Sequence, residues 1–220
     1  INVLYNMVDR MYIGHIDQVG PDALTGVGVT MPIIMCISAF AALVSMGGAP
    51  QASILMGKGK PEEAEKILGN CTSMLLMIAL ALTVLFLGFG RPILLMFGAS
   101  EQTIPYAWAY MQIYVCGTVF VQMALGLNAF INAQGFARIG MMTVAIGAVC
   151  NIILDPVFIF GLHMGVRGAA LATVISQGVS CIWILRFLTG KKTLLKIRRQ
   201  NLRLERRFTG PCLALGLAPF

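Results

Sequence analysis

An all-α integral membrane protein, built as a six-helix transmembrane bundle, is the fold class this sequence predicts, and three observations predict it. Of the 220 residues, 58% are hydrophobic and only 11% charged, against about 45–50% and 25% in soluble domains. The mean hydropathy is +0.82. The apolar residues fall in runs of about 20 or more rather than in an i, i+3, i+4 stripe, and a run of that length matches the ~30 Å hydrocarbon core of a bilayer.

Six spans and the start of a seventh follow along the chain. The first, about 1–14, contains LYNMVDRMYIGH. The second, about 24–55, is too long for one straight crossing. The third covers about 65–88, the fourth 105–132, the fifth 138–160 and the sixth 165–188. Residues 89–103, FGRPILLMFGASEQT, read as an interfacial turn because Gly and Pro punctuate them. The chain opens inside an apolar stretch and closes inside another, so both end spans are expected to be cut. The expected organisation is a bundle over 1–189 with a truncated first helix, a basic linker over 190–207, and the truncated start of a seventh helix over 208–220.

Charge orients the bundle. Lys58, Lys60, Lys66, Arg138, Arg186 and the eight basic residues of 190–207 lie in loops on one side, against Arg91 and Arg167 on the other. The positive-inside rule places the first set, and the linker, in the cytoplasm, with the spans crossing the cytoplasmic membrane. The linker GKKTLLKIRRQNLRLERR has the Leu and Ile spacing of an amphipathic surface helix drawn to anionic lipid headgroups. It lacks an adjoining soluble domain and interleaved aromatics, which argues against nucleic acid as a partner. The six cysteines all fall inside hydrophobic segments without CxxC or Cys/His spacing, and read as buried apolar residues.

Ionisable residues inside the spans are few and therefore informative. Asp9 lies in the first span and Asp155 in the fifth, within NIILDPVFIF. An unpaired charge at that depth costs at least ~2.5–3.5 kcal/mol. Asn151 and Asp155 are spaced i, i+4 and share a helix face. Pro156 has no N–H and leaves the carbonyl of Ile152 without its helical partner, a vacancy tolerated only against protein or a water-filled cavity. Together these oxygens make half of a site for a hard cation such as Na⁺. The same carboxylate is equally a candidate proton carrier, and the residues leave the two open. Arg10 directly follows Asp9 and, a hundred degrees away on the helix, does not simply pair with it. Gln122 and Asn128 of the fourth span are candidate cavity-lining residues, as is Arg10. The small residues of GVRGAALATVISQG suit close helix packing, and Thr173 among them offers a further oxygen.

These motifs resemble the amino-terminal half of a multidrug and toxic compound extrusion (MATE) transporter. The resemblance covers essentially the whole chain and rests on LYNMVDRMYIGH, NAFINAQGFAR, NIILDPVFIFGL and GVRGAALATVISQ. It implies the amino-terminal lobe of a twelve-helix fold, whose second six-helix bundle is the missing partner. It also implies a cation site at Asp9, Asn151, Asp155 and Thr173, holding Na⁺ where coupling is to Na⁺ and a proton otherwise, with no further cofactor. Arg10 departs from the small polar residue that many members carry there.

The resulting expectation is a cation-coupled antiporter exporting amphiphilic organic cations rather than an enzyme. A lipid-linked precursor flippase of related architecture is the alternative; its cavity would call for several basic residues, and only Arg10 is clearly within the membrane. An intramembrane aspartyl protease would need a GxGD-type motif at the second carboxylate, where this chain has LDPV.

Overall fold

The computed structural model describes residues 10–16 and 20–217. Most of the predicted first span, Asp9 included, lies outside the described residues. From residue 20 the elements are α1 (Gly20–Val29), α2 (Met31–Gly57), α3 (Pro61–Met96), α4 (Ile104–Cys116), α5 (Thr118–Ala133), α6 (Ala137–Pro156), a π-helical turn (Val157–Gly161), α7 (Val166–Leu188), a 3-10 turn (Arg199–Leu202) and α8 (Arg206–Leu217). Gly20–Gly57, Pro61–Met96, Ala137–Gly161 and Val166–Leu188 are each long and apolar enough to cross a membrane, and α4 with α5 makes a fifth if the bent pair is one span. These five match the predicted second to sixth spans.

Prolines set where the helices start and break. Pro61 and Pro105 stand in first turns, where a missing N–H costs nothing. Glu62 and Glu63 add negative charge at the positive end of α3. Pro32 interrupts the ladder between α1 and α2. Thr30 fills the gap: its carbonyl accepts from the N–H groups of Ile33 and Ile34, and its hydroxyl donates to the carbonyl of Val27 at 2.7 Å.

Two expectations are corrected here. Residues 89–96 are helix rather than turn, with Pro92 inside α3, because Leu94 is fully buried in the core and holds the extra turns in helical form. The turn is confined to 97–103. The predicted fourth span, in turn, bends by 57° between α4 and α5. At the bend, the Gly117 N–H is shared between the carbonyls of Ile113 and Tyr114. A Cβ on Gly117 would stand 2.5 Å from Val174, so α7 reaches into the bend only against a glycine.

The core divides into two apolar clusters. One joins Val44, Leu68, Leu75, Leu127 and Ile184; the other joins Ile37, Phe86, Tyr110, Val121 and Ala169. Gln122 and Thr173 fall on stretches of helix between the two. Among the cysteines, Cys71, Cys181 and Cys212 are buried, whereas Cys116 is exposed at the α4–α5 bend, where the bent backbone turns it outward instead of into the core.

The linker is the largest departure from expectation. It forms no amphipathic helix; only Arg199–Leu202 winds into a 3-10 turn. Its backbone is met instead by single polar side chains of the bundle. Gln134 Oε1 accepts from Thr193 Oγ1 at 2.8 Å and from the N–H groups of Leu194 and Leu195, each at 2.9 Å. Glu65 accepts from the Lys196 N–H at 3.1 Å and pairs with Arg198 at 3.0 Å. Asn70 Oδ1 accepts from the Glu205 N–H at 2.7 Å, and Ser73 donates to the Leu202 carbonyl. Leu195, which the amphipathic reading would turn toward lipid, is fully buried in the core. Beyond the linker, α8 lies on α2 where Gly47 meets Cys212 and Gly216 meets Leu43, positions with no room for a Cβ.

Gln134→Leu leaves the N–H groups of Leu194 and Leu195 without their acceptor, while the Thr193 hydroxyl keeps the Leu195 carbonyl at 2.8 Å; the cost is about 1–3 kcal/mol for a buried group left unsatisfied. The expected result is a lower unfolding temperature and faster tryptic cleavage at Lys191, Lys192 and Lys196. An unchanged cleavage rate would show that the clasp does not hold the linker.

Candidate cation site

The site is built from the break after Asp155. Without an N–H at Pro156 the regular ladder cannot continue, and the chain leaves α6 through the π-helical turn, closed by the Leu162 N–H on the Val157 carbonyl at 2.9 Å. Tyr12 rests edge-on against Phe160 of this turn, ring centres 6.2 Å apart. Gly165, at φ 56°, then takes the left-handed conformation that starts α7. Gly168 lies against the turn so closely that a Cβ would stand 2.8 Å from the Phe158 carbonyl. This approach brings Thr173, five residues on, across from Asn151.

Asn151 is the pivot. Its Nδ2 donates to Asp155 Oδ1 at 3.2 Å, one helical turn away, and to Thr173 Oγ1 at 3.4 Å on α7. The Thr173 hydroxyl donates to the Ala169 carbonyl at 3.0 Å, so it meets Asn151 as an acceptor. Relative exposures are 1% for Asn151, 0% for Asp155 and 8% for Thr173. Asn151 Oδ1 has no hydrogen-bond partner among the described residues. The arrangement therefore gathers a carboxylate, an amide oxygen and a hydroxyl oxygen, the donor chemistry that hard cations prefer.

Of the other candidates, Asp9 lies outside the described residues, and Arg10 is exposed. Gln122 and Asn128 part company. Gln122 is fully buried and donates Nε2 to the Ile37 carbonyl on α2 at 2.7 Å, so it does not line the cavity. Six residues turn a helix through about 600°, which places Asn128 about 120° away from Gln122 around α5. Asn128 does line a cavity of about 60 Å³, together with Thr143, Gly147, Asn151, Thr173 and Ser180. The hydroxyls of Thr143 and Ser180 were not singled out from sequence. Their signal was present: Thr143, Gly147, Asn151 and Asp155 recur every four residues, and so share one face of α6.

The MatE family model matches residues 1–157, a stretch that includes Asn151 and Asp155. The chain belongs to this family. Members are transporters and not enzymes, so the protease reading falls away. Over all 220 residues the chain is 27% identical to the multidrug export protein MepA of Staphylococcus haemolyticus, covering 48% of that protein. It is also 27% identical, over 78% of its own length and 38% of the relative, to a protein named FAD transporter from Shewanella oneidensis. Among solved structures, an inward-facing multidrug resistance MATE family transporter superposes with a TM-score of 0.91 at 27% identity, over 99% of this chain and 49% of that one. A transporter of the same superfamily from Pyrococcus furiosus gives a TM-score of 0.90 at 27% identity, over 98% and 47%. The chain thus spans about half the length of the relatives it matches.

For this MATE chain, Gly168→Ala is expected to push α7 away from the π-helical turn and cost about 1–3 kcal/mol as an overpacked contact, lowering the unfolding temperature by several degrees. Gly161→Ala, which meets open space, is the control. Equal melting of the two variants would show that the close approach does not set the geometry.

Proposed function

We propose that residues 1–189 form the amino-terminal bundle of a cation-coupled antiporter that exports amphiphilic organic cations across the cytoplasmic membrane. On this reading, residues 190–207 join that bundle, on the cytoplasmic side, to a second one that begins within 208–220. The observation that carries the proposal is the buried Asn151 amide held between Asp155 and Thr173, which gathers a carboxylate, an amide and a hydroxyl at one point between α6 and α7. Oxygen donors of these three kinds suit a hard cation.

The residues fit Na⁺ as well as H⁺. Turning the Asn151 amide about its last bond would present Oδ1, in place of Nδ2, to the other two oxygens. The two orientations are nearly isosteric, and the turned one is favourable only with a positive charge between the oxygens. Asp155 supplies the charge, Asn151 and Thr173 the neutral oxygens, and Asp9 is the proposed fourth group. Bound Na⁺ neutralises the carboxylate and draws α6 and α7 together; a proton neutralises it at one oxygen and leaves the other as acceptor. Coupling follows if the cation prefers one of two bundle arrangements and the exported compound prefers the other. The names of MepA and of the multidrug MATE structure support drug export; amphiphilic organic cations are the cargo class proposed within it.

The test is transport of a fluorescent organic cation by the full-length transporter in proteoliposomes, under a Na⁺ gradient and separately under a pH gradient. Asp155→Asn is expected to reduce gradient-driven transport about tenfold or more, the scale of a coupling energy above 1.4 kcal/mol, and the effective gradient identifies the ion. Wild-type transport by Asp155→Asn would make the carboxylate structural. FAD is included as a second cargo, since one relative bears that name; transport of FAD in place of the organic cation would overturn the cargo class but not the coupling site.

A further inference from the structure

The cavity beside Asn151 extends well past what a cation site requires. On α7, Thr173, Ser176, Gln177 and Ser180 follow at three- and four-residue steps, and they face the Thr143, Gly147, Asn151 stripe of α6. Asn151 pairs with Thr173 and the Thr143 carbonyl with Ser180, at 3.1 Å, so the two helices run antiparallel. Gly147 leaves the Ser180 hydroxyl the room that a Cβ, 2.6 Å away, would take. From Asn151 to Thr143 the cavity advances eight residues, or ~12 Å, toward the end of the bundle that carries Arg138 and Arg186.

Its lining is mostly accepting, with the Asn128 and Gln177 amides as its free donors. The hydroxyls of Thr143, Thr173, Ser176 and Ser180 each donate their one proton to a backbone carbonyl, which leaves only lone pairs to face inward. Asn128 Oδ1 and Asn151 Oδ1 are buried without partners among the described residues, a costly state unless water meets them. No Lys, Arg or His among the described residues lines it. Its volume of about 60 Å³ is well above the ~10–15 Å³ needed to admit a water, so it has room for more than one. An acceptor-lined, hydrated passage suits a cation and disfavours an anion.

We propose that this cavity is the hydrated route along which the coupling cation passes between the Asn151, Asp155 and Thr173 group and the cytoplasm. The proposal rests on the antiporter reading. It is tested in the full-length transporter, freed of its native cysteines, with Ser176→Cys and Ser180→Cys introduced one at a time. The probe is 2-aminoethyl methanethiosulfonate on the cytoplasmic face, with free cysteine on the opposite face as scavenger; Val149→Cys, on the outer surface of α6, is the control. A thiol must ionise to react, which needs water. Ser176→Cys and Ser180→Cys are expected to react at least ~10-fold faster than the control, and their modification to slow gradient-driven transport by a similar factor. No reaction from the cytoplasmic face, or full reaction with transport unchanged, overturns the route. If a cysteine variant is inactive before modification, Gly147→Ala takes its place: narrowing the passage is expected to slow gradient-driven transport, and wild-type rates would overturn the route. Loss of coupling in Asp155→Asn with unreactive cavity cysteines rejects the route alone, whereas wild-type transport by Asp155→Asn rejects the antiporter reading and the route together.

Discussion

A carboxylate shut away from water has to be met by other polar groups, and the arrangement of α6 and α7 follows from meeting Asp155. The adjacent proline ends the regular helix, the π-helical turn takes up the change of pitch, and Gly168 lets α7 approach that turn closely enough for Thr173 to reach Asn151. Each step depends on the one before it. A side chain on Gly168 would not touch Asp155, yet it would move the helix that brings Thr173 to its neighbour. Asn151 has a single amide to divide between two acceptors, so the spacing of the helices and the placing of the carboxylate are linked through the same two hydrogen bonds.

Much of this was legible in the chain because membrane helices announce themselves by length and charge. Runs of about 20 apolar residues located five spans, all to within about four residues except the third, whose helix continues to Met96, since nothing but a helix satisfies a lipid-buried backbone over such a length. The Asn151 and Asp155 pair was equally plain, because i, i+4 spacing is a local rule. Thr173 was different: its hydroxyl marked it as a further oxygen, but it stands 22 residues from Asn151, and only the resemblance to a family joined it to the same site. The separation of Gln122 from Asn128 needed knowledge of where α2 and α6 lie around α5. The bend at Gly117 was hidden for a related reason, as a glycine in an apolar run reads as tolerated until a neighbour such as Val174 occupies the space it leaves.

The linker shows the opposite failure, a local pattern that was real but misassigned. Its Leu and Ile residues do alternate with Lys and Arg, and the bilayer surface is the usual destination for that pattern. Here Leu195 finds the bundle instead, because Gln134, Asn70, Ser73 and Glu65 supply the hydrogen bonds that an extended backbone needs. Those anchors are uncharged or single residues lying 59 to 135 positions away in the chain, and a composition window cannot register them. The energetic weight falls on the buried amides; in the Arg198 and Glu65 pair the arginine is 59% exposed, so water and salt screen the pair.

This clasp and the one-sided cavity bear on the same mechanical question. Linker residues 193–205 are tied to the bundle, and α8 is seated on α2 through glycines, so the chain has no slack before α8. Motion of α8 relative to the bundle then has to slide it along α2 or bend it, and Pro211 inside α8 removes one of the hydrogen bonds that would resist bending. At the other end of the cation site, Ile159, Val166, Ala169 and Ala170 are packed into an apolar cluster with none of the hydroxyls that line the cavity. The hydroxyl-lined cavity therefore runs to one side of Asn151, while the π-helical turn stands on the other, followed in the chain by the residues His163–Arg167 that line a second cavity. A π-helical turn departs from the regular α-helical ladder, and such departures are frequent at functional sites.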